Sequence, residues 1–278
     1  MTNPEALFFA HGDVLHPTAL TRGPWADHGF LHGSAVCGAL GWATEQTVGN
    51  PALALARFTV EIRSMVPCQA LHTTAAVVKA GRRSQVVEAA LHHEGRVVAR
   101  ATSQWVAHHT DGSVGGSVGA SVGASGVVAR PEQASDPGAH PDMVYPRPGF
   151  NCDAVELRPI RSTTEDEGPG LIWVRLRHPV VAGQPASPTL AMMTLSDFGI
   201  AVGWQRSPAG ADFINADVTL QLNRPPLGPW VLFASRVHAS AAGYGFCETV
   251  LADDAGLFGR ILQSLVEAPP TLGSPGQG

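Results

Sequence analysis

The chain has 278 residues, of which 44% are hydrophobic and 15% charged, and its formal net charge is −5 at pH 7. This composition is typical of a globular protein with two domains of about 130 residues or one large core, and the lack of a dense Lys/Arg block argues against nucleic-acid binding. The four cysteines form no Cys-x-x-Cys pair, so we expect neither a zinc knuckle nor a disulfide scaffold, and we predict no metal and no cofactor.

The beginning of the chain, residues 1–5, lacks the basic region of a signal peptide. Nowhere does an apolar run reach the roughly 18 to 20 residues that span a bilayer. We therefore expect a cytoplasmic protein with no membrane span.

A first folding unit is predicted at 1–108. It starts with a short strand at 6–10, followed by a helix at 33–48 that is rich in Ala, Leu and small residues around most of its circumference. A helix that is apolar nearly all round is a buried one. Four strands are predicted to follow, at 57–64, 72–80, 84–92 and 96–106.

Residues 109–140 are predicted to be a flexible linker. They include a short tandem of Gly-Ser-Val units between Gly112 and Gly123 and continue into a Pro-rich polar stretch. Neither composition can bury a core, and both favour a flexible or extended chain. The same reasoning makes 269–278 a disordered tail.

A second unit is predicted at 141–268, with the same order of elements. A strand at 171–177 precedes a helix at 189–204, which is again apolar around most of its circumference. Four strands are predicted after it, at 217–223, 230–239, 245–251 and 257–266.

The two units are related by an internal repeat. Residues 58–107 align with 218–267 at a constant offset of 160, so that Thr59 falls on Thr219 and Arg100 on Arg260. A repeat of this length is a duplicated domain rather than a solenoid. It predicts an α+β fold in which two antiparallel sheets form one continuous sheet wrapped around two central helices.

Several motifs over both units resemble the acyl-CoA thioesterase II family. They are Arg22-Gly23-Pro24-Trp25, His32-Gly33-Ser34, Gly81-Arg82-Arg83-Ser84-Gln85, Ser196-Asp197-Phe198, Asn223-Arg224-Pro225-Pro226 and Gly259-Arg260-Ile261-Leu262-Gln263-Ser264. The resemblance implies a double hot-dog fold and hydrolysis of acyl-CoA, or of another acyl thioester such as acyl carrier protein, to free acid and thiol. It also implies a homo-oligomer.

The family holds its catalytic water with an Asp, a Gln and a Thr of the second hot-dog domain. Position by position, the resemblance assigns the Asp to Asp197 and the Gln to Gln263, while Asn215 stands in the place of the Thr. An Asp inside an apolar helix also fits a general base on physical grounds, because desolvation raises its pKa. From the pattern alone, each residue has a structural alternative: a surface Asp at a subunit contact, a cross-strand Gln and an Asn that satisfies local backbone groups.

The repeat places different residues at the equivalent positions of the first unit. Asp197, Asn215 and Gln263 correspond to Cys37, Leu55 and Ser103. The sequence therefore predicts a single working site, built on the second unit.

The first unit is predicted to contribute substrate-binding groups. Gly33, at the start of a helix, leaves backbone N–H groups free to polarise a carbonyl, although close packing is an equal explanation for this glycine. His32 can contact substrate or simply cap the helix, and Ser34 replaces a glycine of the family and can narrow the acyl site. The guanidinium groups of three arginines can meet the phosphates of CoA or merely face solvent: Arg82, Arg83 and Arg224.

Two alternative functions stay open from the sequence. Asp27-x4-His32 has the spacing found in hot-dog enoyl-CoA hydratases, which predicts a hydratase or dehydratase, but the Asn-Pro that normally separates the two residues is missing. A non-catalytic acyl-thioester-binding protein is the other alternative, because Asn215 and Ser34 depart from the family pattern. A serine hydrolase is not expected, because the chain has no Gly-x-Ser-x-Gly motif.

Overall fold

The computed structural model describes residues 5–23, 29–108, 131, 148–161, 168–203 and 212–269. The predicted linker, except Pro131, lies outside these ranges. The tail beyond residue 269 and the end of the second predicted helix, Trp204, also lie outside them.

The described part of the first half contains one long helix and six strands. The helix has His32 as its N-cap and ends at Val48, and its C-cap Gly49 takes the left-handed conformation (φ 62°) that favours glycine. The elements are β1 (Phe8–His11), β2 (Val14–Pro17), α1 (Gly33–Val48), β3 (Leu53–Ile62), β4 (Leu71–Ala80), β5 (Ser84–His93) and β6 (Arg96–Ala107), with a 3-10 turn at Ala19–Thr21.

The described part of the second half repeats this order with an interrupted helix. A π-helical turn at Phe150–Ala154 precedes the first strand, and a 3-10 turn at Ser196–Phe198 separates two helical segments. The elements are β7 (Val155–Arg161), β8 (Gly170–Leu176), α2 (Pro188–Leu195), α3 (Gly199–Val202), β9 (Phe213–Asn215), β10 (Asp217–Leu222), β11 (Val231–Ala239), β12 (Tyr244–Asp253) and β13 (Gly256–Glu267).

All these strands belong to one sheet of 13 strands, in the order β1-β2-β4-β5-β6-β3-β10-β13-β12-β11-β8-β7, with β9 paired to β13. The two halves join where β3 and β10 run antiparallel, and there Thr59 lies opposite Thr219. The two residues are the ones that the offset of 160 makes equivalent. A pseudo-twofold axis therefore passes between them, and the predicted continuous sheet is confirmed.

Helices α1 and α2 pack against each other on the face of the sheet that is covered by the core. Glycines on α1 allow the close approach, because a Cβ placed on Gly41 would lie 3.0 Å from the Cβ of Met193. A Cβ on Gly38 would lie equally near the hydroxyl of Thr194. Most of α1 is buried, as its apolar circumference predicts.

The structure also corrects the strand predictions. The edge strand β7 was not predicted, because its sequence Val-Glu-Leu-Arg-Pro-Ile-Arg contains Pro159, which indicates a loop. Proline is tolerated in a strand at the edge of a sheet, where its missing N–H breaks no central hydrogen bond. The short strands β2 and β9 were also missed.

None of the helices in the described ranges has the length and apolarity that crossing a membrane requires.

Candidate active site

Asp197 lies at the interface of the two halves. Its 3-10 turn interrupts the second helical region between α2 and α3, and only 3% of the residue is exposed. The carboxyl packs against the backbone of Gly33 at the start of α1: a Cβ on Gly33 would lie 2.6 Å from Cγ and 2.7 Å from Oδ1 of Asp197. A side chain at this position would push the carboxyl away, so the packing of Asp197 requires a glycine at position 33.

Burial raises the pKa of Asp197 to about 7. Desolvation is the largest cause, because the charged carboxylate loses its water. The side-chain amide of Asn215 and the backbone N–H of Ser34 act in the opposite direction by hydrogen bonding to the carboxylate. The pKa of the carboxyl is thereby raised toward neutral pH, which is the range of an effective general base.

His32 caps α1 and stays neutral. Its Nδ1 accepts a hydrogen bond from the N–H of Ser34 at 3.0 Å, and desolvation lowers the pKa of the imidazole to about 3. Nδ1 lies 3.6 Å from Oδ2 of Asp197, a contact that is not an ion pair because the ring carries no charge. The ring stacks on Phe150, with 4.7 Å between centroids.

Asn215 is brought to Asp197 by β9. Its side-chain Nδ2 donates a hydrogen bond to Oδ1 of Asp197. The short strand pairs with β13, where Asn215 lies opposite Leu265, and this pairing holds the side chain in place. The amide therefore holds Oδ1, while Oδ2 lies at the start of α1, beside Gly33 and His32.

Gln263 is fully buried on β13, but its amide contacts the backbone and not the carboxyl. Nε2 donates to the carbonyl oxygen of Asp197 at 3.1 Å, and Oε1 accepts from the N–H of Ile200 at 3.0 Å. These bonds satisfy backbone groups that the interrupted helix leaves without intrahelical partners. The structure thus places Gln263 behind Asp197, as a support for the 3-10 turn.

A cavity of about 390 Å³ opens in front of these residues. Its wall is mainly apolar, with contributions from α1, the end of β3, α3 and β9. Polar groups on the wall include His32, Asp197 and Asn215. Ser34 is fully buried and is not part of the wall, so the expected narrowing by its side chain is not seen; its contribution is the backbone N–H.

The equivalent position in the first half lacks the same groups. Ser103 is buried like Gln263, but its hydroxyl accepts a hydrogen bond from the indole of Trp105 at 2.9 Å. Burial raises the pKa of the Cys37 thiol well above its usual range, so this group stays protonated. The predicted asymmetry between the halves therefore extends to the hydrogen bonding.

The helices do not keep the offset of 160. That offset carries Gly33 to Met193, but α2 begins at Pro188, five residues earlier. The N-terminus of α2, capped by Ser187, lies beside Glu45 of α1, whereas the N-terminus of α1 lies beside Asp197.

The structure separates three predicted substrate-binding residues from this cavity. Arg82 and Arg83 lie in the turn before β5, which is beside the end of β6 and the start of β3. The cavity is at the other end of β3, about 30 Å away along ten residues of strand. Both are exposed there, so within one chain they do not reach the Asp197 site.

Arg224 is engaged in a structural ion pair. Its Nη1 and Nη2 each donate to the carboxylate of Asp253 at 2.6 Å, and Nη2 also donates to the carbonyl of Gly256. It follows β10 at the end opposite the cavity. The guanidinium of Arg224 thus holds the β12–β13 turn, and its expected contact with CoA phosphates stays a prediction. Asp27, on which the hydratase alternative depends, lies outside the described residues.

Sequence comparison assigns both halves to one family. Residues 21–105 match the model of the acyl-CoA thioesterase N-terminal domain, and residues 127–266 match that of the acyl-CoA thioesterase C-terminal domain. The chain belongs to the acyl-CoA thioesterase family. These two matches confirm the family identified from the motifs. A comparison with curated proteins gives no match.

Solved structures of similar fold cover nearly the whole chain. A conserved protein of unknown function with a hot dog fold from Alicyclobacillus acidocaldarius is 16% identical and covers 96% of this chain and 97% of its own, with a TM-score of 0.69. An acyl-CoA thioesterase II from Mycobacterium marinum is 12% identical, with 95% and 96% covered and a TM-score of 0.63. A tesB protein from Mycobacterium avium subs. paratuberculosis is 13% identical, with 94% and 96% covered and the same TM-score. At these identities the similarity shows the fold, which is the predicted double hot-dog.

Sequence reasoning missed three residues beside the site. Phe150 and Asn151 come from the π-helical turn that opens the second half, and Arg63 follows β3. Asn151 and Arg63 both line the cavity. Phe150 and Asn151 belong to no predicted element, and Arg63 lies near the end of the predicted strand 57–64, where nothing in the sequence distinguished it from other arginines.

Proposed function

We propose that this protein hydrolyses acyl thioesters of CoA or of acyl carrier protein to free acid and thiol, with Asp197 as the base that activates water. The observation that carries the proposal is the Asp197 carboxyl itself. It is buried, has a pKa of about 7 and lies between a helix N-terminus and a mainly apolar cavity. A cavity of this kind accepts an acyl chain and excludes bulk water.

In the proposed reaction, Oδ2 of Asp197 takes a proton from a water molecule, whose oxygen attacks the thioester carbonyl. Negative charge then develops on the carbonyl oxygen, and the N-terminus of α1 stabilises it through the backbone N–H of Gly33 and the helix dipole. The tetrahedral intermediate collapses by breaking the carbon–sulfur bond. The proton held by Asp197 passes to the leaving thiolate, which restores the base.

Two neighbours support Asp197 in this proposal. Asn215 donates to Oδ1, which orients the carboxyl. Gln263 acts as a positioning residue, because both ends of its amide hold the backbone of the turn that carries Asp197. A neutral His32 places no positive charge beside the Asp197 carboxyl.

The test is a thiol-release assay with acyl-CoA substrates over a panel of chain lengths. We expect turnover by the wild-type chain and a fall in kcat of at least about 1,000-fold in Asp197→Asn, because the amide cannot accept a proton from water. The variant is isosteric, so it should fold. Asp254→Asn, the same change in an exposed turn, is the matched control and should keep full activity.

Three results would contradict the proposal. Full activity of Asp197→Asn would show that the carboxylate is not the base. A loss of conjugated-thioester absorbance from an enoyl-CoA without thiol release would identify a hydratase instead. A rise in melting temperature with acyl-CoA but no turnover of any chain length would identify a binding protein.

A further inference from the structure

Arg63 is a positively charged residue on the wall of the cavity that holds Asp197. Among the described residues that line the cavity, it is the only Lys or Arg, and the one histidine on the wall, His32, is neutral. Its backbone N–H donates to the carbonyl of Val98 at 2.9 Å, which ties its main chain to the neighbouring strand β6. The position of its Cα is thus set by the sheet, while its side chain is 44% exposed.

The guanidinium of Arg63 is available to bind a ligand. Its nearest acidic partner is Glu61, at 3.9 Å from Nε, which is beyond hydrogen-bond distance. Glu61 is already held by Arg100 through two hydrogen bonds of 2.8 and 2.7 Å. Within the described part of the chain, Arg63 therefore has the charge and the free N–H donors that a planar anion such as phosphate takes in a bidentate contact.

The charges around the cavity determine which end of a substrate meets this arginine. The inner wall carries the buried acids Asp197 and Asp212 among apolar side chains, so a phosphate is disfavoured there. The chain as a whole has a net charge of −5, which repels a polyanion at long range. A substrate with a neutral acyl thioester at one end and phosphates at the other thus fits only with the phosphates at the exposed arginine.

We propose that Arg63 binds a phosphate of the thiol carrier, CoA or phosphopantetheine, at the mouth of the cavity. This assignment rests on the proposed thioesterase function and gives the substrate its direction. The acyl group and thioester enter toward Asp197, and the phosphorylated end of the carrier stays outside. Arg63 takes the role that was expected for Arg82, Arg83 and Arg224, which lie at the far end of the sheet.

The experiment compares two thioesters of the same acyl group, chosen as the one turned over fastest by the wild type. One is the acyl-CoA, and the other is the acyl-N-acetylcysteamine thioester, which has no phosphate. We expect Arg63→Gln to raise KM for the acyl-CoA about tenfold, with kcat within twofold, and to leave KM for the N-acetylcysteamine thioester unchanged. The KM of Arg63→Lys for the acyl-CoA should lie between those of the wild type and Arg63→Gln, because lysine keeps the charge but lacks the planar guanidinium.

The dependence of KM on salt and a control variant test whether the effect on KM is electrostatic and specific to Arg63. Raising NaCl should increase KM of the wild type for acyl-CoA only, and the increase should be smaller in Arg63→Gln because the screened contact is gone. Lys79→Gln removes one exposed positive charge on β4, far from the cavity, and should leave both KM values unchanged.

Each outcome decides the assignment. An equal effect of Arg63→Gln on both thioesters, or no effect on acyl-CoA, would overturn it. A third probe, the N-acetylcysteamine thioester of a dicarboxylic acid, tests whether Arg63 binds a carboxylate instead. If Arg63→Gln raises KM for this probe alone, Arg63 binds a carboxylate of the acyl chain and the phosphate assignment is wrong. If the wild type releases thiol from none of the probes, the proposed function itself fails, whereas normal turnover with an insensitive Arg63→Gln defeats only this inference.

Discussion

At the scale of single residues, the proposed chemistry depends on one carboxyl, that of Asp197, which is buried away from water. Asp197 is 3% exposed, and water is replaced around it by one amide, one backbone N–H and apolar side chains. These two hydrogen bonds do not outweigh desolvation, since the net effect on the pKa is upward. A fully solvated Asp near pKa 4 would be ionised at neutral pH but would be a much weaker base.

The raised pKa predicts opposite effects of pH on activity and stability. The rate should rise with pH through about 7, because only the ionised Asp197 accepts a proton from water. The free energy of unfolding should fall as pH rises from about 4, the pKa in the unfolded chain, to about 7, because the folded state binds the proton more tightly across this window. The loss is of the order of 4 kcal/mol at most, at about 1.4 kcal/mol for each unit of pKa.

Urea unfolding and initial rates measured from pH 4 to pH 9 check both trends. Asp197→Asn is the control for stability, because an amide does not titrate and this contribution should disappear from the difference between the two proteins. If the variant and the wild type show the same dependence of stability on pH, Asp197 does not have a raised pKa in the folded chain.

At the scale of elements, the 3-10 turn that interrupts the second helical region sets the position of Asp197. Within the described residues α1 runs unbroken for 16 residues, whereas the second helical region changes to a 3-10 turn at Ser196–Phe198. A mid-helix 3-10 turn leaves backbone groups without the partners of a regular helix. Gln263 reaches across from β13 to hold two of them, so a strand of the sheet stabilises the irregularity in the helix.

Replacing Gln263 by Leu should therefore affect folding as well as catalysis. The carbonyl of Asp197 and the N–H of Ile200 would lose their buried partner, which costs about 2 to 5 kcal/mol. We expect a lower free energy of unfolding in urea together with a reduced kcat.

The matched control is Gln221→Leu, the same substitution on the exposed face of β10, where the expected change in stability is within about 0.5 kcal/mol. A reduced kcat of Gln263→Leu at unchanged stability would contradict the positioning role and would favour direct contact of Gln263 with the water.

At the scale of the whole molecule, the sheet is both the frame of the site and an exposed surface. Its inner face packs on the helices, while its outer face in the described second half presents four large apolar side chains: Tyr244, Phe246, Leu262 and Val266. Large exposed apolar groups on one surface are typical of protein interfaces. The homo-oligomer implied by the family resemblance would have a surface of this kind.

We predict that light scattering will give a multiple of the 29.0 kDa mass of one chain. Phe246→Glu should shift the population toward the single chain, because it places a charge in the apolar group without touching the core. A mass of one chain at every protein concentration would contradict the prediction.

Much of the fold followed from local patterns in the sequence. The predicted and observed bounds of α1 agree, and the strands of both meanders lie within a few residues of their predicted positions. The elements that were missed, such as β7 with its Pro159, are short or lie at an edge, where the usual signals are weak. The repeat also predicted that Thr59 and Thr219 are equivalent, which the pairing of β3 with β10 confirms.

The sequence by itself determined the two folding units, the family and the difference between Asp197 and Cys37. These depend on residue types and on spacings within one segment. Only the tertiary structure decided that Gly33 lies against Asp197, that Gln263 holds backbone, and that Arg63 lines the cavity whereas Arg82 lies at the far end of the sheet. The physical reason is that such contacts depend on how β3 and β10 pair and on where each helix begins, and no periodic pattern within one segment records either.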